Sequence, residues 1–183
     1  VLITKNGLSF EAPTTGGGSI DIIANGAVVA SRGLHRGVSE LTEVGGLIAY
    51  KVEGIDNNGL FVSDGTTVGT EELLRTVRSI QNLTEFNGRL AFSTDKDLWI
   101  SNGTAEGTTQ RLELLNTPKE IFSNGSKLLV AVDNPDGSER VIYSSSGKPD
   151  ETEILTRLSG EYSHDALPPS FVKDKDKVYF VTN

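Results

Sequence analysis

The sequence predicts an all-β protein, a β-propeller-like array of four-stranded antiparallel meanders, and three observations predict it. One stretch of text recurs: LFVSDGTTVGT at 60–70 returns as LWISNGTAEGT at 98–108. Short runs of β-forming residues alternate with Gly-, Asn- and Asp-rich connectors along the chain. The copies stand 38 and then 44 residues apart, a period in the range of a propeller blade.

Each unit reads as four short strands. From Arg89 to Gly125 they are RLAFS, LWIS, TQRLELL and KEIFS, joined by DKD, NGTAEG, NTP and NG. Alternation sends Leu90 and Phe92 to one face and Arg89, Ala91 and Ser93 to the other. A third, degraded copy covers 126–158. It sets Ser145-Ser146-Gly147 over Ser63-Asp64-Gly65 and Ser101-Asn102-Gly103, with Thr152 over Thr70 and Thr108. In the first forty residues only ASRGLHRGVSEL (30–41) gives a faint echo. Trp99 is aligned with Phe61 and Ile142 and is expected to be a buried packing residue rather than a sugar platform. The units run 47–88, 89–126 and 127–176, with 177–183 plus 1–46 as the remainder of one domain, 1–183.

A meander with an apolar face on each side cannot bury itself alone, and stacking successive meanders about an axis buries both faces. The C-terminal VYFVTN followed by the N-terminal VLITKNG echoes LAFSTDKDLWISNG. Pairing of the two end strands is therefore expected to close a ring of about four blades and hide both sheet edges. The rival expectation is one arc of a longer array, and a first residue of Val rather than Met reads as a processed or excised chain.

The recurring motif, Ser-Asp/Asn-Gly-Thr-x-x-Gly-Thr, has the residue types of a rigid inter-strand loop. Asp64 or Asn102 accepts bonds from nearby backbone N–H groups, and Gly65 or Gly103 supplies positive φ. Gly69 and Gly107 are expected to let the chain enter the next strand. Catalysis does not need such a signature twice, so the motif reads as architecture.

These two segments resemble the ELWxxDGTxxGT repeats of hyalin-like, mostly bacterial secreted and surface proteins. The match is clear at 60–70 and 98–108 and weak at 143–152, where the Trp and second Gly are missing. The leading Glu is replaced by Gly59, Asp97 and Arg140. The resemblance implies a propeller-like architecture and an extracellular or cell-surface location, without a defined activity.

Composition narrows the function classes. The chain has 183 residues, 36% hydrophobic and 23% charged, with a net charge of −8 and no basic patch, which disfavours nucleic acid as a partner. No Cys is present, which excludes disulfides, thiolate metal sites and a thiol nucleophile. No apolar run approaches a membrane span. Acidic turns containing Asp95, Asp97, Asp133 and Asp136 are calcium candidates, but hairpin turns of this kind need no metal and the oxygen ligands are too few. No metal or cofactor is therefore assigned. His35 and His164 lie far apart, the serines at 144–146 lack a nucleophile elbow, and Gly16-Gly17-Gly18 lacks phosphate-loop spacing. Asn82, Asn102 and Asn124 begin Asn-x-Ser/Thr triplets that would be glycan acceptors in a eukaryotic secretory route.

The sequence thus predicts a non-catalytic extracellular or cell-surface module that binds protein or glycan at its loops, or self-associates. The alternatives are a propeller hydrolase or lyase with a central-channel site, and a subunit of a self-assembling surface polymer.

Overall fold

The computed structural model describes residues 2–5, 8–11, 20–24, 27–32, 35–54, 56–66, 68–162, 170–175 and 177–181. Side-chain surroundings are described from residue 38 onward, apart from Pro149, Ser170 and Val181. The described residues are almost entirely strand. The first sheet holds β1 (Leu2–Lys5), β2 (Leu8–Glu11), β3 (Ile20–Ala24) and β4 (Ala27–Arg32). The second holds β5 (His35–Val44), β6 (Leu47–Gly54), β7 (Asn58–Ser63) and β8 (Thr70–Thr76). The third holds β9 (Ile80–Phe86), β10 (Arg89–Thr94), β11 (Asp97–Ser101) and β12 (Thr109–Glu113). In the fourth are β13 (Pro118–Ser123), β14 (Leu128–Asp133), β15 (Glu139–Ser145) and β16 (Thr152–Ser159), while β17 (Ser170–Asp174) pairs with β18 (Lys177–Val181) alone. Each sheet is a meander in chain order, and the sole helical element described is a single 3-10 turn at Pro149–Glu151. The all-β expectation holds. Two compact units are present, Val1–Ile80 with Ser101–Thr108, and Gln81–Ile100 with Thr109–Asn183.

The sheets are phased one strand differently from the sequence reading. KEIFS does not close the meander of RLAFS; it lies in β13 and pairs with β14. The reason lies in the turns. Gly45 and Gly46 have φ of 57° and 84°, and Asn87 and Gly88 have 52° and 72°. Two successive positive-φ residues make a tight turn whose twist matches that of a hairpin, so the strand before such a turn belongs with the strand after it. The acidic connectors, read from the sequence as turns between first and second strands, consequently join second to third strands.

A recurring irregularity reveals a copy of the unit that the text concealed. Register shifts fall at Leu60/Phe61, Leu98/Trp99 and Ile142/Tyr143, each time between the third and fourth strands. The first sheet has the same shift at Ile22/Ile23, 38 residues before Leu60. Strands β3 and β4 are therefore the counterpart of β7 and β8. The faint echo at 30–41 is not that copy, because it spans the end of β4 and much of β5. The bulge also realigns the aromatic position: Tyr143, not Ile142, matches Phe61 and Trp99, and Val141, not Arg140, stands where the leading Glu would be.

The predicted alternation of β10 between an apolar and a polar face is replaced by burial on both sides. Leu90, Ala91, Phe92, Ser93 and Thr94 are all buried, as are all six residues of β14. In the second compact unit this burial stacks sheets. Leu128, Val130 and Val132 of β14 join Phe86, Ala91, Leu98 and Ile100 of the third sheet in one cluster. The intervening Leu129 and Ala131 pack with Phe171 of β17, together with Val178 and Phe180 of β18. In the first unit Ile48, Tyr50, Val52 and Phe61 form a cluster with Val38 and Leu41.

Polar side chains tie neighbouring first strands. Asn82 donates Nδ2 to the Pro118 carbonyl at 3.2 Å, and Thr84 donates Oγ1 to the Ile121 carbonyl at 2.8 Å. Leu98 is fully buried where two sheets meet. Leu98→Ala should lower unfolding free energy by about 2–5 kcal/mol in urea titration, whereas Val68→Ser, at a fully exposed site, should stay within about 0.5 kcal/mol.

Candidate functional site

The motif turns recur atom for atom. In 63–70, Ser63 Oγ accepts the Gly65 N–H at 3.0 Å and shares a 2.7 Å bond with Thr70 Oγ1. Asp64 Oδ1 accepts both the backbone N–H and the hydroxyl of Thr66 at 2.8 Å. Thr66 Oγ1 in turn accepts the Gly69 N–H at 2.9 Å, and Thr70 Oγ1 donates to the Thr66 carbonyl at 2.7 Å. Ser101, Asn102, Gly103, Thr104, Gly107 and Thr108 reproduce every one of these bonds. Gly65, Gly103 and Gly147 have φ of 92°, 94° and 83°, a region that favours glycine. The motif serines are buried, at 0%, 0% and 1% exposure, so their hydroxyls need these partners.

The role of the second glycine differs from the expectation. A Cβ at Gly69 would lie 2.1 Å from Asp64 Oδ1, and at Gly107 it would lie 1.9 Å from Asn102 Oδ1. The glycine makes room for the Asx side chain. The third copy shows the same constraint in reverse: the Asx becomes Ser146, one atom group shorter, and the glycine becomes Glu151. Glu151 then accepts the Ser146 hydroxyl at 2.6 Å and Lys148 Nζ at 2.6 Å, while Ser145 and Thr152 keep their 2.7 Å bond. The copy that looks degraded is a compensated version of the same turn.

Successive loops also meet neighbouring strands. Glu71 Oε1 accepts the Ala105 N–H at 3.0 Å, and Gly147 packs on Phe86 and Ile100, leaving a Cβ there only 3.2 Å from the ring.

The acidic candidates do not converge. Asp133 and Arg140 face each other across β14 and β15 and form a buried two-point pair, Nε–Oδ1 2.5 Å and Nη2–Oδ2 3.1 Å. Arg140 is fully buried and stacks over the Tyr162 ring at 4.5 Å. Such a pair is costly to break on one side, because the remaining charge is left buried. Asp97 is buried and accepts from Gln110 Nε2 at 3.0 Å. Asp136 holds the N–H and hydroxyl of Ser138 at 3.0 and 2.7 Å, and Asp95 sits at φ 50° in its turn. Among the described residues, no three His, Cys, Asp or Glu side chains gather as a metal site would require. The side chains of His35 and His164 and the stretch Gly16-Gly17-Gly18 lie outside the described residues.

Trp99 is half-buried rather than buried; its ring stacks on Phe92 at 6.0 Å and its indole N–H donates to Thr94 Oγ1 at 2.8 Å. Tyr50 and Phe61 make the equivalent stack at 5.7 Å. Each triplet asparagine has a structural partner. Asn82, at φ 60°, donates to Ser93 and Pro118, Asn102 holds its loop, and Asn124 Oδ1 accepts from Ser126 and Lys127. Burial raises the Glu120 carboxyl above its ordinary range, with the Phe171 N–H opposing that rise. An open cleft of about 380 Å³ lies among Asn124, Gly125, Ser126, Lys173, Lys175 and Val178, and Lys173 Nζ donates to the Asn124 carbonyl there.

No family model matches the chain, and no curated protein matches it. Among solved structures it is similar to one described as the structure of Hsv2p from Kluyveromyces lactis, at 12% identity and a TM-score of 0.33, over 97% of this chain and 68% of that one.

Two outcomes follow from the turns. Gly107→Ala should destabilise the chain by about 1–3 kcal/mol through overpacking, and pairing it with Asn102→Ser should recover much of that loss in a double-mutant cycle. Bonds from Thr66 hold the Asp64 carboxyl below its ordinary value. Its contribution is therefore complete above the unfolded value of 3.8 and disappears as pH falls through the lower folded value. Asp64→Asn keeps the acceptor and should remove that part of the acid sensitivity, read as a shallower loss of melting temperature below pH about 4.

Proposed function

We propose that this chain is a non-catalytic extracellular or cell-surface module for binding and assembly, its meanders stacked as the blades of a propeller-like array. The observation that carries the reading is the self-satisfaction of the motif. The Ser, Asx and Thr groups that the sequence repeats are bonded to one another within each loop, so repetition supplies rigid loops rather than a reaction centre. Stacking through both faces of β14 supports the blade reading, because it is the arrangement by which meanders with two apolar faces are buried. The resemblance of 60–70 and 98–108 to ELWxxDGT repeats supports an exported location and membership of that hyalin-like group. A ring closed by the end strands is the expected form of the array. Protein or glycan ligands would meet the exposed loop tips, where Val68 stands fully exposed.

Light scattering of the purified chain in calcium and in chelator, with a screen against generic ester and glycoside substrates, tests the proposal. One mass in both conditions and no turnover are expected. A mass that depends on calcium would overturn the metal-free reading, and turnover of any of these substrates would replace the module with an enzyme.

A further inference from the structure

Asn-Gly pairs stand among the described residues at 58–59, 87–88, 102–103 and 124–125. Such a pair carries a latent reaction of its own, because the glycine nitrogen can attack the preceding carboxamide and no Cβ shields it. The surroundings set the rate in two ways. They ease or oppose loss of the proton from the glycine N–H, and they stabilise or neglect the carboxamide oxygen as it becomes an oxyanion.

The turn between β13 and β14 favours both steps. Asn124 Oδ1 accepts the Ser126 N–H at 2.9 Å, the Ser126 hydroxyl at 3.0 Å and the Lys127 N–H at 2.8 Å. Preorganised donors on an oxygen where charge develops are the arrangement of an oxyanion hole. Lys173 Nζ donates to the main-chain carbonyl of Asn124, which belongs to the same peptide unit as the Gly125 nitrogen. A cation on that carbonyl stabilises the amidate left when the nitrogen loses its proton. The Gly125 N–H itself meets only a neutral acceptor, Ser123 Oγ at 3.2 Å. Gly125 is exposed and has a φ of 94°, and a Cβ on it would stand 3.5 Å from Lys173 Nζ, so the cation lies beside the reacting peptide.

The other pairs are set differently. Among the described residues, Asn102 Oδ1 accepts from Thr104 alone, its N–H at 3.1 Å and its hydroxyl at 2.9 Å. The Gly88 N–H donates to the Glu85 carboxylate at 2.7 Å, an anion that opposes loss of the proton. Asn58 and Gly59 lie inside β7, paired with β6 on one side and β8 on the other.

We propose that Asn124-Gly125 is a self-modification site, whose turn promotes conversion of Asn124 to aspartate and isoaspartate with water as co-reactant and ammonia as product. The Gly125 nitrogen bonds to Asn124 Cγ and gives up its proton. The Cγ–Nδ2 bond breaks, and ammonia leaves with that proton. Water then adds across one C–N bond of the cyclic imide, its hydroxyl to the carbonyl carbon and its hydrogen to the nitrogen. Either product places a carboxylate in the cleft lined by Lys173 and Lys175. The isoaspartyl product also lengthens the main chain of the turn by one carbon.

The test follows the purified full chain, kept folded in mildly alkaline buffer, by peptide mapping with electron-transfer fragmentation, which separates aspartate from isoaspartate. Product at Asn124 is expected to accumulate about tenfold faster than at Asn102. Urea that unfolds the chain should bring the two rates together, since each asparagine then precedes glycine without its turn. Lys173→Gln, at an exposed position, should slow Asn124 about fivefold and leave Asn102 unchanged, while Lys173→Arg keeps the cation and the rate. Equal rates at Asn124 and Asn102 in the folded chain would overturn the proposal. So would an Asn124 rate untouched by Lys173→Gln, or one that rises on unfolding, the mark of a turn that protects its asparagine.

Discussion

Leu128, Val130 and Val132 are buried on one side of β14, and Leu129 and Ala131 on the other, so the strand has no solvent face. A sheet with such a strand near its middle exposes a large apolar area whenever it stands by itself, and the hydrophobic cost of that exposure binds sheets together. The rest of the second unit follows from this constraint. Polar side chains of β9 turn to carbonyls of β13, where they remain hydrogen-bonded while the strands crowd together. Outer strands such as β16 alternate between half-buried and exposed, as the free side of a stack requires.

Tight turns allow the stack to repeat. Each motif loop bonds its own Ser, Asx and Thr side chains, so it can lie against a neighbouring sheet with those groups satisfied. Gly147 on Phe86 and Ile100 shows that a loop residue also serves as packing surface.

The all-β class was legible because β-forming runs and turn residues alternate, and the third copy was legible because Ser145 and Thr152 keep their spacing. Three things were not. The phase of the sheets depends on which turns force a hairpin, and a sequence period carries no information about where a period begins. The copy in the first sheet lacks the motif text altogether, so only the shared bulge at Ile22/Ile23 exposes it. The role of Gly69 and Gly107 is a steric relation to a side chain five residues earlier; the joint change to Ser146 and Glu151 was the available signal. Among the candidate sites, the acidic clusters were legible as lying near turns, but Asp97 and Asp133 fall within β11 and β14, and nothing in the text tells that Asp133 is matched to Arg140 across a ladder.

Strands β10 and β14 hold the third and fourth sheets of the second unit in one cooperative stack. Native-state hydrogen exchange in low urea tests it most directly, by following the amides of β10 and β14. Both sets are expected to belong to the slowest-exchanging class and to lose protection together at one denaturant concentration. Loss of protection in β14 while β10 stays closed would contradict it, for the two strands would then belong to sheets that stand alone.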